Sequence, residues 1–416
     1  MPARRLSADW LVPVEGAPVA NGALLIGADG RIAALGPDHA VPAPADVRAE
    51  RFDGAAILPG LVNAHTHLEL TGLAGRIDEP DFPGWIRRLR DLKLARSPEE
   101  FLAAARAGLA DCHAAGVTTV ADTGDSGMVA AALSEAGGSG IAFHEVFGPH
   151  PDQATESLAG LAGRMRELQR FASPRVRLGV SPHAPYTVSG PLYAAAAAWA
   201  RSAGYALAVH LAESPEECAL LRDGTGAFAD AWQRRGIPWH PVPCCTPVEW
   251  LARHAVLGPD TLCIHVVDAD VDDIATLRAA DVGVAHCPLS NRAHRHGTAP
   301  VRALLDAGVR VGVGTDSVAS VGQLDLLAEA RAAAAIAGLS DEDALRLCTI
   351  GAAAAIGMAA DVGSLAPGKW GDATVIDTGR TGHPVAAVLA SSLRDVRATY
   401  LAGRPVHRAV AAAVPA

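Results

Sequence analysis

Residues 57–67 read Ile-Leu-Pro-Gly-Leu-Val-Asn-Ala-His-Thr-His, an apolar run ending in two histidines one residue apart. Side chains alternate along a strand, so His65 and His67 point to the same side and two imidazoles face one cation. The run is the first of eight. The others cover 117–123, 140–147, 175–182, 205–212, 262–267, 282–287 and 309–315, each followed by an Ala/Leu/Arg-rich segment with helical spacing. Eight strands alternating with helices predict an α/β chain built on a (β/α)8 TIM barrel, whose strands, buried on both faces, read as continuous apolar runs. Gly116, Gly204 and Gly308 stand just before such runs, where a helix stops and the next strand starts.

Outward from the barrel the texture changes. Residues 1–56 carry short alternating segments broken by turns such as Ala28-Asp29-Gly30 and Phe52-Asp53-Gly54, and residues 363–372 lead into another strand-like run at 373–376. Both ends are expected to build one small β-sandwich, so the predicted organisation is 1–56 sandwich, 57–362 barrel and 363–416 sandwich again. The alanine-rich tail after Tyr400 is read as a last strand and a frayed end. A length of 416 residues allows two to three domains of about 150 residues. With 50% hydrophobic and 19% charged residues the chain is globular, not disordered.

Composition also narrows the function. A net charge of −10 disfavours nonspecific nucleic-acid binding. No apolar run reaches the roughly 18 to 20 residues that span a bilayer. Asp9, Pro13 and Glu15 interrupt what would be the apolar part of a signal peptide after Arg4-Arg5, so a cytoplasmic location is expected. The seven cysteines lack Cys-x-x-Cys spacing and Cys244-Cys245 are adjacent, which speaks against structural disulfides. Lysine occurs only at Lys93 and Lys369.

Barrel chemistry sits at the C-terminal ends of the strands. The first strand ends in His65 and His67, the fourth in Ser-Pro-His183-Ala-Pro-Tyr186, the fifth in His210-Leu-Ala-Glu213; the sixth contains His265 and the eighth ends in Gly-Thr-Asp316-Ser. One strand histidine alone is usually a packed, hydrogen-bonded core residue. His or Asp at five of eight strand ends is different, because buried imidazoles and carboxylates need partners and a metal supplies one. Nitrogen-rich ligation with one carboxylate suits zinc, and iron and manganese accept similar sets.

The run 57–67, Gly116-Val-Thr-Thr119, His210–Glu213, His286-Cys-Pro-Leu-Ser-Asn291 and Gly314–Ser317 together resemble the amidohydrolase superfamily. The likeness covers nearly the whole chain. It lies nearest the deaminase branch with chlorohydrolase-like, guanine and S-adenosylhomocysteine deaminases. It implies one divalent metal ion per chain, Zn2+ with Fe2+ or Mn2+ as alternatives, held by His65, His67, His210 and Asp316. Glu213 and His265 would be catalytic groups beside them. Binuclear relatives bridge two metals with a carboxylated lysine, and neither Lys93, in the loop after the first strand, nor Lys369, in the sandwich, stands at such a place; a bridging Glu145 stays open. The implied reaction is hydrolytic deamination of an aminated heterocycle, of purine or adenine-nucleoside type. A divalent cation lowers the pKa of bound water from about 15.7 toward about 7, and the hydroxide adds to the carbon bearing the amino group. Asp316 takes the water proton, His265 orients the hydroxide, and Glu213 protonates the ring nitrogen and helps ammonia leave.

For substrate contacts, His183 resembles a substrate-contacting histidine of nucleoside deaminases. Glu69 is placed to hold a ring NH or ribose hydroxyl, or to brace its loop. Trp85 can stack on a base, and Arg87 or Arg88 can pair with a carboxylate or lie on a solvated helix face. Asn291 is a further substrate-binding candidate, and His294-Arg295-His296 reach the same rim or form an exposed loop. The His-Thr-His-Leu-Glu, Trp85 and Ser-Pro-His-Ala-Pro-Tyr segments also resemble the aminodeoxyfutalosine deaminases of menaquinone synthesis, whose substrate joins an adenine nucleoside to a benzoate. The alternatives are hydrolysis of another C–N or C–Cl bond or of a cyclic amide, and a catalytically silent scaffold. All six ligand and acid/base positions are present, which speaks against the scaffold. The expected partner is a small-molecule substrate, with a homo-oligomer left open.

Overall fold

The computed structural model describes residues 2–238 and 242–409. Four strands come first: β1 (Arg4–Leu11), β2 (Val19–Ile26), β3 (Ile32–Pro37) and β4 (Arg48–Pro59). The barrel strands follow: β5 (Leu61–Thr66), β6 (Val117–Gly124), β7 (Ser139–Val146), β8 (Val176–Pro182), β9 (Ala206–Leu211), β10 (Thr261–His265), β11 (Gly283–His286) and β12 (Arg310–Val313). Each begins and ends within a few residues of an apolar run read from the sequence, apart from the first. The chain closes with β13 (Ala373–Asp377), β14 (Val396–Leu401) and β15 (Arg404–Arg408), which is the last strand expected near the C-terminus. The tail from residue 410 lies outside the described residues.

The strands β5 to β12 pair in sequence order, all parallel, into an eight-stranded sheet. A parallel bridge between Thr66 and Asp316 brings its two edges together and closes the barrel. Every residue of β6 and β7 is buried, as helices packed around a parallel sheet require. Closure depends on a small residue. A Cβ at Gly314 would stand 2.6 Å from the His65 nitrogen and 2.7 Å from its carbonyl oxygen, so only glycine lets the chain after β12 lie against β5.

The two termini share one mixed seven-stranded sheet, ordered β15-β14-β13-β4-β1-β2-β3. The run 57–67 is therefore not a single strand. Ile57, Leu58 and Pro59 pair with β13 in the terminal sheet, and the chain enters the barrel only after Gly60. Pro59-Gly60 explains the break, because proline has no N–H for a ladder and glycine accepts the turn between sheets. The alternation of β4 joins the two layers: Ala55 and Ile57 face the terminal sheet's own core, while Ala56 and Leu58 enter the large core shared with the barrel helices.

Candidate active site

The histidines and Asp316 meet at the C-terminal mouth of the barrel. His65 is fully buried at the end of β5, and His67 follows one residue beyond it. His67 Nδ1 donates to the Thr123 carbonyl oxygen at 2.8 Å, which leaves the lone pair on Nε2. That Nε2 lies 3.3 Å from His210 Nε2 and 3.4 Å from Asp316 Oδ1, with His65 Nε2 3.7 Å from the same oxygen. Nothing fixes a proton on either His65 nitrogen, and His210 meets only the His67 ring, so all three rings can present a lone pair beside Asp316, an arrangement that suits a cation. A proton does not serve, since burial pushes His65 down to about 4 and His210 well below its ordinary value. Both ring nitrogens of His65 and Nδ1 of His210 are buried without hydrogen-bond partners. Three imidazoles and one carboxylate in this arrangement fit a divalent metal ion.

Glu213 and His265 stand beside this cluster. His265 Nδ1 donates to Asn291 Oδ1 at 2.9 Å, and its Nε2 faces Glu213 Oε1 at 3.5 Å. Tyr186 donates its hydroxyl to Glu213 Oε2 at 3.4 Å. Burial, with the negative Asp316 nearby, raises the Glu213 carboxyl well above its ordinary range and so favours its protonated form. Burial alone would raise Asp316 too, and its carboxyl falls below the usual carboxylate range only where His65 and His67 carry a proton or share a cation with it. The two buried carboxyls are thus pushed in opposite directions. Glu217 fixes the first of these: its two oxygens accept the backbone N–H groups of Ala212 and Glu213 at 2.8 and 3.0 Å. The backbone is unusual at the same places. Ala212, His265 and Asp316 have φ of +50°, +73° and +57°, a left-handed conformation that costs about 1–3 kcal/mol per non-glycine residue and gathers at active sites.

A cavity of about 950 Å³ opens onto the cluster. Of the residues expected to bind substrate, His183, Trp85 and Arg87 line it. His183 packs against His210 with ring centroids 4.8 Å apart, and its Nδ1 contacts Thr187 Oγ1 at 2.8 Å. Arg88 does not line it: one helical step of about 100° past Arg87 turns it to solvent. Glu69 lies beneath the cavity, with Lys93 Nζ 2.8 Å from Oε1 and the Ser126 hydroxyl 2.5 Å from Oε2, so of its two readings the brace is the one the geometry favours. Asn291 is behind His265 and reaches substrate space only through it.

Some residues escaped the sequence reading. Lys93, read there only as a loop residue, lines the cavity from the helix Phe82–Leu94 and pairs with Asp125 as well as Glu69. Tyr186 and Ser290, both inside motifs already quoted, touch Glu213 and Asp316. His294 lines the cavity and His296 is buried 3.9 Å from Glu213 Oε1, so that segment is part of the site's wall and not a free loop. Arg90, Arg96, Arg234 and Arg235 join Arg87 in the lining.

The sequence pattern of the amidohydrolase family matches residues 56–406. The chain belongs to the amidohydrolase family. This amidohydrolase is similar to the 5-methylthioadenosine/S-adenosylhomocysteine deaminase of Moorella thermoacetica, 31% identical over 381 residues that cover 88% of this chain and 84% of that one. It is 34% identical to the aminodeoxyfutalosine deaminase of Deinococcus radiodurans over 287 residues, 65% of this chain and 66% of that one. Among solved structures, an adenosine deaminase from Xanthomonas campestris with bound zinc matches with a TM-score of 0.84 at 25% identity, covering 96% of this amidohydrolase and 92% of that chain. Family membership makes the chain a metal-dependent hydrolase acting on carbon–nitrogen bonds. No helix among the described residues of the amidohydrolase is long and apolar enough to cross a membrane.

Proposed function

We propose that this hydrolase is a deaminase that releases ammonia from an adenine-nucleoside-type substrate, with one Zn2+ per chain. The observation that carries the reading is the chain of close contacts that joins His65, His67, His210 and Asp316, with the buried carboxyl of Glu213 beside them. Those four residues would hold the metal. When bound, a divalent cation lowers the pKa of water toward about 7 and supplies a nucleophile at neutral pH.

The remaining work falls to the chain's own groups. Glu213 holds its proton at the cavity wall, where it can pass it to the ring nitrogen next to the carbon that bears the amino group. Asp316 accepts a proton from the attacking water and gives it up to the departing amine, while Glu213, ionised once it has protonated the ring nitrogen, helps that departure by taking the hydroxyl proton of the adduct and so regains its acid form. His265, with its proton on Nδ1, keeps the Nε2 lone pair directed at Glu213 and orients the water. Phe82, Trp85, Tyr186, Phe228 and Trp232 give the cavity an aromatic wall on which a purine can stack while bulk water is excluded. His183 contacts the substrate from the other side.

Within this class the narrow reading is aminodeoxyfutalosine. The five arginines in the lining, Arg87 among them, suit an anionic substituent on the nucleoside, and the Deinococcus radiodurans relative carries that activity in its name. The Moorella thermoacetica relative keeps 5-methylthioadenosine and S-adenosylhomocysteine beside it. A cytoplasmic location belongs to the same reading and is supported by the seven cysteines, all free thiols. The test is ammonia release by zinc-loaded protein over adenosine, 5-methylthioadenosine, S-adenosylhomocysteine, aminodeoxyfutalosine, guanine, pterins and aminotriazines. Turnover of an adenine nucleoside is expected. Silence toward every nucleoside with metal bound overturns the proposal and moves the weight to another C–N or C–Cl bond, a cyclic amide or a silent scaffold.

A further inference from the structure

We propose that Ser290 and Asn291 are the positioning residues of this site, one orienting Asp316 and the other His265, from a single turn of chain wedged between them. The proposal rests on the deaminase reading and assigns roles to two residues that do not line the cavity.

The strand order supplies the first part of the argument. β11 lies between β10 and β12, so the segment leaving β11 passes between His265 at the end of β10 and Asp316 just beyond β12. That segment is the short helix Pro288–Ala293. Neighbouring residues on a helix point about 100° apart, so adjacent side chains can address two groups from two different strands. Ser290 donates its hydroxyl to Asp316 Oδ2 at 2.5 Å, which leaves Oδ1 facing His65 and His67. Asn291 Oδ1 accepts from His265 Nδ1 at 2.9 Å, which leaves the lone pair on Nε2. Both residues are buried, with exposures of 0% and 1%.

The backbone supplies the second part. His265 and Asp316 both hold left-handed φ values, which nothing local to an L-residue favours, so their side chains need support from outside their own strands. The wedge itself is fixed by Glu329, a buried carboxylate on the helix Leu326–Ala337 that accepts the Leu289 N–H at 3.0 Å. Ser290 and Asn291 touch no reacting atom; they act through the groups that do.

The test uses the full zinc-loaded chain and reads two quantities, the rate at which a chelator strips the metal and the kcat and KM for ammonia release. Ser290→Ala is expected to lose metal about 10–100-fold faster than wild type, because Asp316 is free to turn. Ser290→Thr, which keeps the hydroxyl, restores slow loss. Asn291→Leu is expected to keep wild-type metal loss while kcat falls about 10–100-fold with KM within about twofold, and Asn291→Asp recovers most of the rate. Asn291→Ala reads the same contact if leucine does not fold. Wild-type metal loss in Ser290→Ala, or wild-type kcat in the folded Asn291 variants, overturns the proposal. If wild type itself releases no ammonia, the deaminase reading has failed, and the chelator measurement still decides the role of Ser290.

Discussion

The acid role proposed for Glu213 rests on where it is buried. It lies in a wall of aromatic and carboxylate groups, with the negative Asp316 close by, and both effects favour the protonated form. It is not among the four groups that converge on the metal position. Glu213→Gln is therefore expected to bind metal at the wild-type ratio while kcat drops by about 10²- to 10⁴-fold, read by metal analysis and ammonia release on the same sample. A near-normal rate would remove Glu213 from proton transfer. At this scale the histidines were legible, because period-two alternation puts His65 and His67 on one side whatever the rest of the chain does. Ser290 and Lys93 were not, since their partners Asp316, Glu69 and Asp125 lie 24 or more residues away in sequence and no local pattern encodes the contact. The left-handed φ values of His265 and Asp316 were equally hidden, because neither residue type announces that conformation.

The helix Phe82–Leu94 is the element that turns a barrel mouth into a cavity. It starts at Asp81, whose side chain accepts the Gly84 N–H, with Pro83 in the first turn. Its last turn carries Lys93, which ties it to Glu69 after β5 and to Asp125 after β6. Breaking a buried ion pair by removing one partner costs about 3–5 kcal/mol, since the other charge stays buried and uncompensated. Lys93→Met should therefore lose about that much in urea unfolding at neutral pH. The pH dependence follows from Glu69. Burial alone would raise its carboxyl, but the Lys93 ammonium outweighs burial and holds it at about 2. An unfolded glutamate titrates near about 4.3, so this contribution is complete above about pH 4.3 and fades as pH falls toward 2. The gap between wild type and Lys93→Met should narrow over that acid range. A gap that stays constant or widens there would contradict the pairing. The eight barrel strands were legible in the sequence because strands buried on both faces are apolar throughout. The break at Gly60 was not, because β4 and β5 are both apolar and only their partners tell them apart.

Across the whole molecule, the terminal sheet and the barrel share a core, and Arg175 of the barrel pairs with the buried Asp372 at 2.8 Å just ahead of β13. A metal bound only by the folded state stabilises that whole by about 2.7 kcal/mol when its free concentration is a hundred times Kd. Chelated protein should therefore melt at a lower temperature than zinc-loaded protein and recover when zinc returns, as read in a thermal scan. The scarcity of lysine, visible in composition alone, bears only on a bridging carbamate: Lys93 is engaged by Glu69 and Asp125, and Lys369 lies against Ser364 and Glu15, whereas Glu145 stands within reach of His183 and His210, so the metal count is for titration to decide. The most direct test is a zinc titration of metal-free protein followed by ammonia release from its best adenine nucleoside. Activity that rises linearly and levels off at one zinc per chain is the predicted result. Full activity before any zinc is added, or a plateau reached only at two zinc ions per chain, would contradict a one-metal deaminase.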